Sequence, residues 1–268
     1  MKIAIIGITG RMGRAILEAS TNQKYNGLLQ ITYGYAKGDT PDAKGELTNL
    51  ASKYSLDETK SNNLEAIIES VDAVIDFSAP DISVQAIKVA AKYNKIFISG
   101  TTGFTNIQFS EFQSIGKETI TLWASNMSIG VNVMNILTEQ AARMLEGYDA
   151  EILEMHHRNK KDSPSGTAIT LGKHVAKARN LDFDKHAVKS REGIAEDIRA
   201  NDDIGFATLR GGSVIGDHSV IFAGNNDTIT LSHQAQDRSI FACGALDAAL
   251  WCQNKNPGFY SIKDMLVK

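Results

Sequence analysis

In the first half of the chain, apolar residues cluster in short unbroken runs. Each is followed by a glycine or small polar residues, and most then give way to a stretch with helical spacing. Lys2–Ile6 is such a run, Arg14–Ser20 is the helical stretch after it, and Leu28–Ala36 reads as a second strand. Ala73–Phe77, Ile96–Ser99 and Thr119–Trp123 repeat the pattern, with helices over Ile82–Tyr93 and Ile107–Lys117 between them. Strands apolar at consecutive positions suit burial on both faces, and their alternation with helices predicts a parallel, doubly wound α/β sheet.

Beyond Gly130 the pattern changes. Val131–Leu145 spells a long amphipathic helix, Ala150–Met155 a half-apolar strand, and Thr167–Ala178 a helix that Ser165 or Thr167 is placed to cap. Phe206–Leu209, Val214–Phe222 and Thr228–Ala235 then follow in series, separated by glycine turns and without crossover helices. Such a series predicts a second, α+β domain containing a mixed sheet. Ser239–Gln253 returns to a helix with an alanine-rich face, suited to packing back on the first domain, and Phe259–Leu266 is a short closing segment. The expected division is residues 1–127 with 238–268, and residues 128–237.

Chemistry enters at the first strand's end. Gly7-Ile8-Thr9-Gly10-Arg11-Met12-Gly13 lies between a buried-type strand and a helix, the setting in which a glycine turn cradles a pyrophosphate. This makes the first domain Rossmann-type and dinucleotide-binding. The spacing is G-x-x-G-x-x-G, with Thr9 at the usual second glycine, and a tight strand–helix turn uses glycine in any case. The second strand ends Tyr35-Ala36-Lys37, with Ala36 where an NAD site would carry a carboxylate for the ribose diol. A missing carboxylate beside a cation favours a 2′-phosphate, so NADPH is expected to be preferred and NADH to remain usable, with Lys37 and Arg11 as phosphate partners. Asp39, two residues on, is the alternative surrogate carboxylate. Polar and glycine residues also gather at the ends of the later strands, in Gly100-Thr101-Thr102 and Ala124-Ser125-Asn126-Met127.

The densest chemistry lies in Glu151–Ala168, EILEMHHRNKKDSPSGTA. A strand, a polar loop with Arg158, Lys160 and Lys161, and a helix start form a backbone suited to an anion, because free N–H groups and the positive end of the helix dipole face the loop. His156 and His157 exchange protons near neutrality. Together they suit a carboxylate-bearing substrate that must be protonated. A metal site is not expected, since adjacent histidines diverge and no cysteine or helical His spacing accompanies them.

Composition narrows the classes. Of 268 residues, 43% are apolar and 22% charged, an ordinary globular balance. The net charge of −3 disfavours a nucleic-acid partner, and no apolar run approaches a membrane span. The opening Met1–Gly10 lacks a secretory pattern and reads as a cytosolic start. Cys243 and Cys252 fall in one expected helix, as reduced structural thiols do.

Laid out in this order, the chain resembles the 4-hydroxy-tetrahydrodipicolinate reductase family of lysine and diaminopimelate biosynthesis over nearly its whole length. The resemblance rests chiefly on His156-His157…Lys160…Asp162-Ser163-Pro164-Ser165-Gly166-Thr167. It is supported by Gly7–Gly13, Gly100–Phe104, Asn126–Asn132, Gly205-Phe206-Ala207 and Gly216-Asp217-His218. Members with a clear NADH site carry an acidic residue where this chain has Ala36. The resemblance implies hydride transfer from a nicotinamide to a cyclic dicarboxylate, with His156 and Lys160 as catalytic proton-handling residues. It implies His157, Gly166 and Thr167 as substrate contacts. Gly7, Ile8, Thr9, Gly10, Arg11, Met12, Gly100, Thr101, Thr102, Ala124, Ser125, Asn126 and Met127 are then the cofactor contacts. It also implies a homotetramer formed through the second domain's sheet, as a face without a covering helix layer would favour. A non-catalytic NADPH-binding redox sensor would share the glycine turn but has no need of His156 and Lys160. A semialdehyde dehydrogenase would need a thiolate nucleophile, which cysteines in a late helix do not offer.

Overall fold

The structure, a computed structural model, describes residues 1–36, 41–60, 63–194 and 198–267, with the side chains of 41–43 left out. In chain order the elements begin β1 (Lys2–Ile6), α1 (Arg11–Ser20), β2 (Gln30–Tyr35), α2 (Pro41–Tyr54), α3 (Leu64–Glu69) and β3 (Ala73–Asp76). They continue α4 (Pro80–Lys92), β4 (Ile96–Ser99), α5 (Asn106–Gly116), β5 (Ile120–Trp123), α6 (Ile129–Met144) and β6 (Asp149–His156). Then come α7 (Gly166–Ala178), α8 (Phe183–His186), β7 (Ala187–Val188), β8 (Ile204–Arg210), β9 (Asp217–Ala223) and β10 (Thr228–Gln234). The chain closes with α9 (Ser239–Cys252), β11 (Gly258–Tyr260) and α10 (Ile262–Leu266). It divides into two compact units, Met1–Ile129 with Ser239–Lys268, and Gly130–Arg238. No helix among the described residues is long and apolar enough to cross a membrane.

In the first unit the strands run in the order β11-β5-β4-β3-β1-β2, every neighbouring pair parallel. The unbroken apolar runs have their expected cause, since β3 and β4 are buried at every position. Alternate residues feed two cores. Ile3 and Ile5 of β1 pack with Ile16 and Leu17 of α1 and Ala245, Leu246 and Ala249 of α9. Ala4 and Ile6 pack on the opposite face with Ile67 and Ile68 of α3, Ile87 of α4 and Phe112 of α5. After β2 the chain returns past β1 to β3, so the order reverses beside the carboxyl end of β1. Open α/β sheets bind ligands at such a point.

Boundaries shifted where capping, not hydrophobicity, decides them. Helix α1 begins at Arg11 rather than Arg14 because Gly10 serves as its N-cap. Strand β2 is Gln30–Tyr35 rather than Leu28–Ala36, and Val214–Gly216 lie outside β9. Helices α2 and α3 had no counterpart in the sequence reading. The apolar stripe of α2 is narrow, Leu47, Leu50 and Ala51, and α3 is six residues long, started by Asn63, whose side chain accepts from the Ala66 N–H. The closing segment splits into β11, which pairs with β5, and α10.

The second unit holds a mixed sheet in the order β10-β9-β6-β8-β7. The central β6 runs antiparallel to β9 and parallel to β8. Its residues alternate, so that Ala150, Ile152, Glu154 and His156 are buried while Leu153 and Met155 are half-exposed on the other face. Leu171 and Val175 of α7 join Ile152, Phe206, Val220 and Phe222 in the core on the buried face.

Helix α9 approaches the segment after β5 closely enough to need a glycine. A β carbon on Gly244 would stand 1.8 Å from the carbonyl oxygen of Met127. The obstacle is main chain and cannot rotate away. Gly244→Ala should therefore cost about 1–3 kcal/mol, visible as a lower Tm in thermal unfolding; an unchanged Tm would mean that the helix does not sit this close.

Candidate active site

Glu154 and His156 lie two apart on β6 and hence on the same, buried face. Glu154 is 1% exposed, and donors surround it. Arg210 of β8 binds it with both terminal nitrogens, at 2.7 Å and 2.8 Å, and the Ser165 N–H donates at 3.0 Å. Nδ1 of His156 stands 2.6 Å from Oε2. Burial works to raise the carboxyl's pKa, but Arg210, His156 and the Ser165 N–H outweigh it and hold the group below the usual glutamate range. His156 is pushed down from its ordinary value, by burial foremost and by the charges of Lys160 and Arg210, with Glu154 opposing.

The polar loop is tied to the same carboxylate. Arg210 also donates to the Asp162 carbonyl at 2.7 Å, and Asp162 pairs through its side chain with Lys160 at 2.9 Å. The Lys160 N–H turns back to the His157 carbonyl. Ser165 caps α7 by accepting from the Ala168 N–H at 3.2 Å, and its hydroxyl shares a 2.9 Å hydrogen bond with Nε2 of His218 on β9. The ring of His218 stands edge-on to that of His156, centroids 5.0 Å apart. Among the described residues nothing accepts from the N–H groups of Gly166 and Thr167. Gly166 is exposed and His157 and Thr167 half-buried. His156, Lys160, Gly166 and Thr167 thus share one strand end, loop and helix start.

In the first unit the glycine turn is built for close approach. Gly7 has a φ of +81°, and a β carbon there would meet the Phe77 carbonyl oxygen at 2.4 Å. On Gly13 it would meet the main chain of residues 7 and 8 at 2.5 Å. Helix α1 starts without a side-chain cap, which leaves its first turn open to an anion. Arg11 is exposed, and Met12 and Thr9 are half-buried. The side chains of Ile8 and Met127 are core, so both can offer a ligand only main chain. Thr101 is 2% exposed, with its hydroxyl spent on the buried Asp76 and on the Ser78 N–H. Thr102 and Ser125 are exposed, and Gly100, Ala124 and Asn126 half-buried. Ala36 packs against the core. Lys37 and Asp39 lie outside the described residues.

Sequence reasoning missed Glu154 and Arg210 and gave His218 no role. The E-x-H spacing on an alternating strand was a usable signal for Glu154, since it puts both side chains on one face. Arg210 carried none, because only the β6–β8 register, with His156 opposite Arg210, brings it close.

A glycine turn against a parallel sheet in one unit, and in the other a strand end that brings a buried imidazole, a lysine and a helix N-terminus together, suit a pyridine-nucleotide oxidoreductase. The chain is of that class. A family model described as dihydrodipicolinate reductase, N-terminus, matches residues 1–127, and one described as its C-terminus matches residues 130–266. The chain belongs to the dihydrodipicolinate reductase family. It is 42% identical over 268 residues to the 4-hydroxy-tetrahydrodipicolinate reductase of Allorhizobium ampelinum, with 99% of this chain and 98% of that protein covered. To the protein of the same name from Wolbachia pipientis it is 41% identical, with 99% of each covered. Among solved structures it is similar to a dipicolinate-bound dihydrodipicolinate reductase from Paenisporosarcina sp. TG-14. There the TM-score is 0.77 at 23% identity over 97% of both chains, a likeness of fold.

His218 makes the site sensitive to acid. Burial, and then the charge of His156, push its pKa down to about 4. The unfolded chain protonates this imidazole near the ordinary value of about 6.5. Above that value the group is neutral in both states and has no effect. As pH falls from about 6.5 toward 4 only the unfolded state gains the proton, so stability declines, by up to about 3 kcal/mol. Urea unfolding at pH 7 and pH 5 checks this. The wild type should lose more stability between the two than His218→Asn, and an equal loss would count against a neutral, buried His218.

Proposed function

We propose that the chain catalyses the NAD(P)H-dependent reduction of 4-hydroxy-tetrahydrodipicolinate to tetrahydrodipicolinate in lysine and diaminopimelate biosynthesis. The observation that carries this reading is the meeting, at one strand end, of His156, Lys160 and the Gly166 and Thr167 N–H groups that open α7. A dicarboxylate needs the last, and a carbon that gathers negative charge as hydride arrives needs one of the first two.

The glycine turn fits a dinucleotide, because Gly7 and Gly13 let the turn lie tightly against the Phe77 main chain and against the start of α1, whose first turn has no side-chain cap. A bound nicotinamide supplies the hydride. The first-turn N–H groups of α1, with Gly7 to Met12, hold the diphosphate, and Gly100 to Thr102 and Ala124 to Met127 line the same ends of the sheet. Gly166 and Thr167 receive a substrate carboxylate through their N–H groups, with His157 beside them. Lys160, held by Asp162, and His156, held by Glu154, are the proton donors. NADPH is the favoured cofactor and NADH a usable one, on the grounds of Ala36 and the adjacent Lys37.

The test is cofactor oxidation by the purified chain with substrate freshly generated by the preceding synthase. Both cofactors should be oxidised, with the higher kcat/KM for NADPH. Lys160→Ala and His156→Ala should lower kcat by about 10²–10⁴ and change KM less. Near wild-type kcat in both variants would remove this strand end from the chemistry, and no oxidation at all would reject the reaction.

The second unit's sheet points to assembly. Leu153 and Met155 of β6 and Ile221 of β9 lie half-exposed on the face opposite α7, and Leu209 of β8 is 48% exposed. Burying this face between copies gives a homotetramer in our reading. Light scattering at micromolar concentration should return four chain masses; a monomer mass would reject it.

A further inference from the structure

Glu154 holds His156 in the chemistry just described, and its own carboxylate is buried among donors. Its surroundings are all donors: two nitrogens of Arg210, the Ser165 N–H, and the Thr208 hydroxyl at 3.4 Å. A carboxylate held ionised in that way can only accept. His156 Nδ1, 2.6 Å from Oε2, must therefore donate, and the neutral ring carries its proton on Nδ1. Nε2 is left without a protein partner among the described residues. Its neighbour is Gly216, where a β carbon would stand 3.0 Å from Nε2. Any larger residue would crowd the one ring nitrogen that remains available.

We propose that Glu154 is a positioning residue. Fixed by Arg210 and by the N–H of Ser165, it selects the Nδ1–H tautomer of His156, so that Nε2 is the atom that gives or takes the catalytic proton. Because Ser165 is the N-cap of α7, the same carboxylate sets the imidazole and the anion-receiving helix start in one frame. This rests on the reading of His156 as a proton donor. No atom of Glu154 takes part in the transfer: His156 loses the proton from Nε2 and retains the one on Nδ1.

An amide at position 154 has only one oxygen. Facing Arg210 and the Ser165 N–H, that oxygen is claimed by them, and the amide NH2 is turned to His156. Nδ1 then becomes an acceptor and the neutral ring changes to the Nε2–H tautomer. Donation from Nε2 of the charged ring would leave an N–H against an NH2. The charged and titratable groups that face His156 are Glu154 on its own strand, Arg210 from β8, His218 from β9 and Lys160 from the loop. Of these only Glu154 favours the protonated ring.

Long-range ¹H–¹⁵N NMR of the labelled full chain, recorded across pH without substrate, reads tautomer and ionisation of His156 directly. The wild type should show the Nδ1–H tautomer above its pKa. Glu154→Gln should show Nε2–H and a lower His156 pKa. Arg210→Gln should keep Nδ1–H and raise that pKa, because the competing cation is gone and His156 shares the carboxylate only with the neutral Ser165 N–H and Thr208 hydroxyl. Loss of packing in general would not move the two variants in opposite directions. In turnover, Glu154→Gln should lower kcat by about 10² with a smaller change in KM.

An Nε2–H tautomer in the wild type overturns the proposal, and that spectrum needs no variant to fold. So does a changed tautomer in Glu154→Gln with kcat intact. A wild-type chain that shows Nδ1–H but reduces nothing overturns the assigned reaction and leaves the tautomer assignment standing.

Discussion

A carboxylate removed from water is tolerated only where charge and hydrogen bonds replace what hydration gave it, and losing one partner of such a group costs several kcal/mol. Glu154 imposes that constraint on the second unit. Strand alternation puts it on the buried face of β6, so β8 must supply Arg210 and the loop must return the Ser165 N–H. Arg210, once there, also holds the Asp162 carbonyl, and Asp162 holds Lys160. Helix α7, the polar loop and both proposed proton donors are therefore placed by the satisfaction of one charge. Packing of Leu171 and Val175 against the sheet fixes where α7 lies. The carboxylate fixes where it begins.

The first unit meets a similar demand differently. Asp76, at the end of β3, is fully buried and has hydroxyl partners instead of an arginine: Ser78, Ser83, Ser99 and Thr101. Burial raises its pKa, with those hydroxyls opposing. This carboxyl joins the ends of β3 and β4, and the residue after it, Phe77, presents the carbonyl against which only a glycine at position 7 can lie. The cradle proposed for the dinucleotide thus rests on a hydrogen-bonded network around a buried carboxyl. Thr101 belongs to that network as much as to the cofactor loop.

Much of this was legible in the sequence, for physical reasons that differ by element. The strands β1, β3 and β4 announced themselves because burial on both faces demands apolar residues at successive positions. The start of α7 was legible because Ser165 is a capping residue ahead of a helical pattern. Helix α2 was not, since a helix that buries only Leu47, Leu50 and Ala51 leaves little periodicity to find. His156 and Lys160 stood out by chemical type. Arg210 did not, for its function arises from strand register between residues 54 apart in sequence, His156 and Arg210. Glu154 read as one more polar position on a half-buried strand until its partners were known.

The central claim is that Glu154 remains charged in its buried setting and so acts only as an acceptor. The ¹³Cδ resonance of Glu154, followed by NMR as pH is lowered, tests it most directly. The carboxyl should stay ionised through the ordinary glutamate range, near pH 4.3, and titrate only below it. Titration at or above that range would show that Arg210, His156 and the Ser165 N–H do not outweigh burial, and would contradict the account.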